Sequence, residues 1–462
     1  MAIALLAAAY FAVGCGAPTS SGAVSKDAAE PQQDSVDVAE EGSDSFANPP
    51  PDVTAKLAAG TLDLEFGSSG CTWVASANDP VTESIPYDVL VASTGDVIVA
   101  GRAQNSKFGA ERGWIVRLDP VGSVKANVLV DPVEGLLGGG TLDATDHPTM
   151  PARGFGVDAW DVVRTSLDGV LDPSLVLPSS LASSYILGLQ YQSTGKLVLA
   201  AGESDGMSLA AIFRLVRMQA NGKVDPSFGT NGIVPLQTTK ELQAAGFGVN
   251  YRAFGMVVAS DDTIYIAATM ATPTAAHWVM AHYTAQGQLD PNFGKGGLLD
   301  LGLVPSATSK VKNILAASRA TGDMYIVGKF FSAKESYSWI HTVHVTAAGL
   351  DMSYGDGKGY ARVTHQNYQD QVAAAVQADG ALLVTSVGDS IWTVARITAS
   401  GALDATYGDG GWFVQDVRLG IQDAPPVAMA LAPDGGAVVV RHWWYVKNLM
   451  HKDQAVVCKI TP

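Results

Sequence analysis

From about residue 60 to residue 462 the chain is written in short apolar runs broken by clusters of Gly, Asp, Ser and Thr. Residues 371–414 are the clearest example. Gln371–Gln377 is an apolar-rich run, Ala378-Asp379-Gly380 a turn, and Ala381–Ser386 a second, β-branched run. After a loop, Trp392–Thr398 alternates large and small side chains, Ser400-Gly401 turns again, and the corner Tyr407-Gly408-Asp409-Gly410-Gly411 leads into Trp412–Val417. Runs of this length punctuated by turn residues predict strands, because period-2 patterning and Gly/Asp breaks do not suit a helix. Four such strands in roughly 40–60 residues predict one blade of a β-propeller.

A basic residue late in the third strand counts the copies. It is Arg117, Arg164, Arg217, His282, His344, Arg396 and Lys459, so seven units are expected. Turn motifs before the second strand keep the same register: Thr94-Gly95-Asp96, Thr194-Gly195-Lys196, Thr321-Gly322-Asp323, Asp379-Gly380 and Asp434-Gly435. The fourth copy has Asp261-Asp262 without Gly, and the second copy is the most degraded. A lead-in to the fourth strand recurs as Asp225-Pro-Ser-Phe-Gly229, Asp290-Pro-Asn-Phe-Gly294, Asp351-Met-Ser-Tyr-Gly355 and Asp404-Ala-Thr-Tyr-Gly408. The same motif stands at Leu62-Asp63-Leu64-Glu65-Phe66-Gly67, ahead of any complete unit, while the seventh unit stops after its third strand. The expected fold is therefore an all-β, seven-bladed propeller with four-stranded blades. Its ring is closed by an N-terminal strand, about residues 60–76, pairing in the last blade, because a ring needs its first and last blades locked together.

The DGK-like turn, apolar strand, VAR-like third strand and LDxxFG closing motif together resemble the delta-60 repeat proteins, over roughly residues 60–462. Copy two departs with Asp172-Pro-Ser-Leu175, lacking the aromatic–Gly pair, and copy one has Lys125 where the Asp would stand. The resemblance implies a bacterial secreted or lipid-anchored protein and brings no catalytic residues with it.

The net charge of −16, with charged residues at 16%, argues against a nucleic-acid surface, which needs a clustered basic face. Adhesion to anionic lipid is disfavoured for the same reason. Residues 1–14 form an apolar run too short to span a bilayer and read as a signal peptide. Ala12-Val13-Gly14-Cys15 resembles a lipobox, at which Cys15 becomes the lipidated N-terminus; the run before it carries no Lys or Arg. By the resemblance to lipoproteins, Gly16 and not Asp after that Cys favours the outer over the inner membrane. Residues 15–57, rich in Ser, Ala, Pro, Asp and Glu, cannot bury enough apolar surface to offset ordering and are expected to act as a disordered acidic tether. About 35 flexible residues reach roughly 30–35 Å. The propeller is expected over residues 58–462.

The remaining two cysteines fall on strands that the closed ring makes neighbours. By repeat alignment Cys71 and Cys458 correspond to Trp412 and Ala395 of the sixth copy, which should face each other across the ladder. A Cys71–Cys458 disulfide sealing the ring is expected.

The seven basic anchors, usually followed by the Asp of the LD motif, read as structural pairs within blades and not as charges converging on a channel. Aromatics four residues before the anchor, at Trp160, Phe213, Trp278 and Trp392, with Trp114 and Trp339 displaced by one, read as packing between blades. The eight histidines make no metal motif: His341 and His344 are an odd number of residues apart and diverge on a strand, as do His277 and His282. Asp356 and Asp409 sit in tight corners where Asp and Gly serve the turn. No nucleophile elbow, phosphate loop or dinucleotide fingerprint is present, Gly138-Gly139-Gly140 reads as a flexible turn, and no cofactor is expected. The local departure is His442-Trp443-Trp444-Tyr445, running towards His451, where the second strand of the last copy is expected to enter a longer connection. Adjacent aromatics on a strand point to both faces, so this is the candidate binding patch.

These features predict a non-catalytic exported lipoprotein that displays a recognition scaffold at the cell envelope. Its partner would be an envelope protein or surface polysaccharide, its membrane contact the lipid alone, and its state monomeric. The competing expectation is a carbohydrate-active lyase or hydrolase with a site at the channel mouth.

Overall fold

The computed structural model describes residues 59–462, apart from 77–81, 106–110, 155–159, 176, 178–184, 204–211, 236–249, 272–275, 305–312, 318–321, 333–336, 347, 364–370, 388–390, 417–427 and 448–449. The segments expected to be a signal peptide and an acidic tether, with Cys15, lie outside the described residues. Those described belong to one compact unit, Pro51–Pro462.

Seven antiparallel sheets follow one another in chain order. Blade one is Thr82–Val91, Val97–Asn105, Glu111–Leu118 and Val124–Val130, and blade six is Gln371–Val376, Leu382–Val387, Ile391–Ile397 and Trp412–Asp416. Each of the seven basic anchors lies on the third strand of its own sheet. First strands of successive blades pack side by side around blades three to seven, and the first strand of blade seven, Ala428–Leu431, reaches that of blade one, so the sheets form a ring. The fold is a seven-bladed β-propeller.

Closure follows the displaced motif. Blade seven runs Ala428–Leu431, Ala437–Lys447 and Met450–Ile460, and takes Cys71–Val74 as its outer strand. Leu62 bridges Ile460, as Leu403 bridges Ile397 within blade six. Cys71 pairs with Cys458, as Trp412 pairs with Ala395, and a disulfide joins Cys71 to Cys458 across 387 residues of chain.

The apolar core is divided into seven clusters, each shared by two adjacent blades. A propeller blade is apolar on both faces because each is covered by a neighbour. The aromatic of the LDxxFG motif plugs five of these layers: Phe228, Phe293, Tyr354 and Tyr407 between blades three and seven, and Phe66 between blades seven and one. In copy two Leu175 fills the same role against blade three. Phe228, Tyr354 and Tyr407 are fully buried. Burying a side chain of this size is worth about 2–3 kcal/mol, so each plug contributes as much to the ring as a strong polar contact. The third-strand tryptophans obey the two-residue period: Trp278 and Trp392 face the following blade, whereas Trp114 and Trp339, displaced by one, face the preceding one. The Phe213 side chain lies outside the described residues.

Three blades depart from the repeat. In blade two the inner position is shared by Val133–Leu136 and Thr141–Leu142, both pairing with Pro148–Gly154. In blade five two short strands, Gly349–Leu350 and Tyr360–Val363, share the outer position against Tyr337–Thr346. In blade seven the expected long connection after the second strand is a correction: His442 to Tyr445 lie inside the strand Ala437–Lys447, paired throughout with Met450–Ile460. The β-branched and aromatic residues there continue the ladder as a long hairpin.

Candidate functional site

The anchors organise the polar interior of each blade. Arg217, on Ile212–Met218, donates from Nε to Asp225 at 2.9 Å, from Nη2 to Ser227 at 3.0 Å and from Nη1 to the Ala285 carbonyl of blade four at 2.6 Å. Lys196, from the turn before the second strand, meets the same carboxylate at 2.8 Å. Burial opposes the Asp225 charge, but Lys196, the Ser227 donors and Arg217 hold its carboxyl well below the usual range. Arg164 meets Asp172 at 2.7 Å, His282 Nδ1 meets Asp290 at 3.0 Å, and His344 lies between Asp351 at 2.9 Å and Asp323 at 3.0 Å. Arg396 contacts both Asp404 and Asp379. The Ser174 amide and hydroxyl, with Arg164 beside them, pull the Asp172 carboxyl down to about 2; the Ser353 hydroxyl and His344 do the same for Asp351.

Two anchors show how the repeat tolerates change. Lys459 reaches Asp434 of its own blade at 2.6 Å and Asp63 of the N-terminal segment at 3.0 Å, so that segment brings the missing carboxylate with the missing strand. In blade one Lys125 occupies the usual Asp position and turns to Asp119 at 2.8 Å; Arg117 is served by Asp96 at 2.7 Å and by Asp168 of blade two at 2.8 Å. The charges are spent pairwise within blades and across single blade junctions.

A second set of junction contacts was not legible in the repeat. Asp146 and Asp262 hold the left-handed conformation, with φ of 64° and 66°, where other copies have Gly. Their carboxylates accept from the preceding blade's turn serine: Ser93 Oγ to Asp146 and Ser193 Oγ to Asp262, each at 2.6 Å. The hydrogen bonds offset the backbone strain of a non-Gly residue there. Gly139 and Gly140 likewise have a fixed partner, donating at 3.0 and 2.7 Å to Asp88 on the inner strand of blade one.

The aromatic patch of blade seven is divided by the ladder. His442 is buried on the blade-one side with its Nε2 facing Asp453. Trp443 points to the blade-six side, where it packs on the core and meets Trp73 of the closing strand edge-to-face at 5.0 Å. The side chains of Trp444, Tyr445 and His451 lie outside the described residues. Trp73 was not singled out from the sequence, yet it is 47% exposed. Arg441 was also passed over. It is 4% exposed, and no described residue gives it a hydrogen bond or ion pair. Burial alone pulls its guanidinium down to about 10. The signal that could have found it is positional: counted from the turn, other copies place Gly101, Ala201, Ala268, Gly328 and Ser386 there.

The inner strands carry little that could do chemistry. Those of blades three to seven, Tyr185–Tyr191, Asn250–Val258, Asn313–Ala317, Gln371–Val376 and Ala428–Leu431, have no Asp or Glu. In blades one and two Asp88 is held by the glycine amides and Glu134 lies 3.4 Å from Arg153. Among the described residues no three His, Cys, Asp or Glu are grouped to hold a metal ion. Asp356 sits in the left-handed region at φ 60°, as a tight corner requires.

No family model matches the chain, and no curated protein matches it. Solved structures do. The WD40 domain of Toxoplasma gondii coronin is similar at 11% identity and TM-score 0.43, over 88% of this chain and 89% of that one. The β-propeller domain of the Trilobed protease from Pyrococcus furiosus is similar at 10% identity and TM-score 0.43, over 81% and 94%. An oligogalacturonate lyase in complex with manganese is similar at 11% identity and TM-score 0.43, over 84% and 98%.

Proposed function

We propose that the chain is a non-catalytic exported lipoprotein of the delta-60 repeat type, held at the bacterial outer membrane by Cys15, and that it presents the propeller as a rigid recognition scaffold. The observation that supports this reading is the set of inner strands. Where a propeller enzyme would converge carboxylates from several blades, the inner strands of blades three to seven carry no Asp or Glu. The anchor charges are consumed within the blades and across single blade junctions, and the half-exposed Trp73 is on the closing blade. Its partner is an envelope protein or a surface polysaccharide, its membrane contact is the lipid alone, it binds no nucleic acid, and it works as a monomer.

The test has two arms. Cells fed an alkyne fatty acid should label the protein, and Cys15→Ser should abolish the label and release the chain from the membrane fraction. Surface crosslinking followed by mass spectrometry should recover one abundant partner, lost when Trp443→Ala and Trp444→Ala are combined. An unmodified N-terminal peptide upstream of Cys15 overturns the anchor. Turnover of a polysaccharide by the purified propeller overturns the non-catalytic reading in favour of a lyase or hydrolase.

A further inference from the structure

At three blade junctions the glycine of an LDxxFG corner donates its amide to the turn after the next blade's third strand. Gly67 donates to Val121, Gly229 to Gln286 and Gly355 to Ser400, at 2.8, 3.0 and 2.9 Å. At a fourth, Gly408 donates to Ala59 at 3.0 Å, so Ala59-Gly60 stands in blade seven where Ser400-Gly401 stands in blade six. Gly60 has φ of 71° and passes so close to this corner that a Cβ would lie 2.5 Å from the Gly408 nitrogen. In blade six the turn is entered from the third strand. In blade seven that place is filled by Met450–Ile460, with the Thr461 amide donating to the Thr61 carbonyl, so the chain ahead of Ala59 must leave the path of the repeat.

It leaves beside an open groove. About 560 Å³ lies between Thr61, Leu62 and Leu64 of the closing segment and Trp412, Phe413 and Val414 on the outer strand of blade six. Leu64 and Val414 are each 45% exposed, and Ala59 and Leu62 pack on the core cluster that holds Phe413. Trp412–Asp416 is the last strand of its sheet, and among the described residues only Ile391–Ile397 forms a ladder with it. An outer strand with apolar side chains and an unpaired row of N–H and C=O groups is a template for one more strand.

The sequence just upstream of Ala59 has the pattern of such a strand. After Pro49-Pro50-Pro51, the run Asp52-Val53-Thr54-Ala55-Lys56-Leu57 alternates polar and apolar residues. Five extended residues span about 17 Å. Trp412–Asp416 is also five residues long. Lys56 is the one basic residue between Lys26 and Arg102, and the exposed Asp409 stands on the groove wall.

We propose that residues 53–57 occupy this groove as a fifth strand of blade six, antiparallel to Trp412–Asp416, with Val53, Ala55 and Leu57 turned to Leu64 and Phe413. The antiparallel sense follows from Ala59, which is held at the Gly408 corner next to Trp412. Lys56 then falls at the end of the strand nearest Asp409. The acidic tether becomes shorter than composition alone predicts, and it departs from the rim of blade six. Residues 53–57 are retained whether or not the chain is cut at Cys15, so the added strand stands apart from the anchor reading.

Hydrogen exchange of the full chain, read by mass spectrometry, tests the strand. Residues 53–57 should exchange about ten-fold or more slowly than residues 30–45 of the same chain. Val53→Asp combined with Leu57→Asp should abolish that protection and speed exchange in Trp412–Asp416. Leu64→Asp, at a half-exposed side chain that the ring does not need, should release residues 53–57 from the other wall of the groove. Equal exchange in residues 53–57 and 30–45 overturns the proposal, as does exchange in Trp412–Asp416 that ignores the double variant, or protection of residues 53–57 that survives both sets of substitutions. Protection that grows with protein concentration also overturns it, because the groove would then hold a strand from a second copy.

Discussion

Breaking the Cys71–Cys458 bond isolates what the covalent seal contributes to the ring. The two sulfurs close 387 residues of chain, nearly the whole propeller. In the chain-entropy account a loop of that length lowers the disorder of the unfolded state by about 20 cal/mol/K, which is about 6 kcal/mol at 25 °C. The native side changes little, since four paired residues of Cys71–Val74 and the Asp63–Lys459 contact hold the closing strand without the bond. An unfolding entropy of about 2.1 cal/mol/K per residue over roughly 400 residues converts 6 kcal/mol to a shift of about 7 °C. Calorimetry of the same protein oxidised and reduced reads this difference with both sulfur atoms still present, so no cavity term enters. The double variant Cys71→Ala with Cys458→Ala should melt lower than the oxidised protein by at least as much, because both side chains are buried. Reduced and oxidised protein melting within about 1 °C of each other would refute the reasoning and show that strand pairing alone confines the unfolded chain's cost.

Arg217→Met should cost about 3 kcal/mol in denaturant unfolding, since it leaves the buried Asp225 with Lys196 as its remaining counter-charge; Arg112→Ala, whose bridge to Asp131 is half exposed, should cost under about 0.5 kcal/mol. Phe228→Ala should cost about 3–5 kcal/mol by opening the layer between blades three and four, and an equal loss from Val121→Ala, which is 52% exposed, would contradict the plug assignment. Gly411→Ala should cost about 1–3 kcal/mol, because φ is 100° and a Cβ would stand 2.3 Å from Leu403 Cγ. Burial holds the His341 imidazole down to about 4, helped by Arg362, so its unfolded form takes up the proton first: stability should be full above about pH 6.5 and fall towards pH 4. The depressed Asp172 and Asp351 carboxyls extend the loss from about pH 4 towards pH 2. His341→Phe should flatten the upper interval in pH-dependent urea melts while leaving the lower one.

The ring was legible because its determinants repeat. One basic residue per copy fixed the blade count, and aligning Cys71 and Cys458 with Trp412 and Ala395 gave a strand register that the ladder reproduces. The aromatic plug was visible as a motif, and its loss in copy two proved to be a substitution by Leu175 in the same layer. What stayed hidden depends on single copies. Asp146 and Asp262 look like failed turns until the serine of the preceding blade is beside them. Trp73 and Trp443 are far apart in the chain and meet only through ring closure, and Arg441 is conspicuous only when its equivalents in other blades are small. The one-residue displacement of Trp114 and Trp339 put them on the opposite face, as the two-residue period of a strand requires.

The pairing of Cys71–Val74 with Met450–Ile460 also sets an order in time. A chain delivered from its N-terminus, by a ribosome or through an export pore, presents its closing strand first and the partner of that strand last. Throughout synthesis Asp63 and Phe66 wait without the Lys459 and Val438 they will meet, and each new blade exposes an uncovered apolar face until the next arrives. Blades can stack as they emerge, yet the circle cannot shut until the final residues are free. A chain stalled anywhere before Met450 would be an open arc with an unpaired strand at one end, the kind of edge that invites association with another copy.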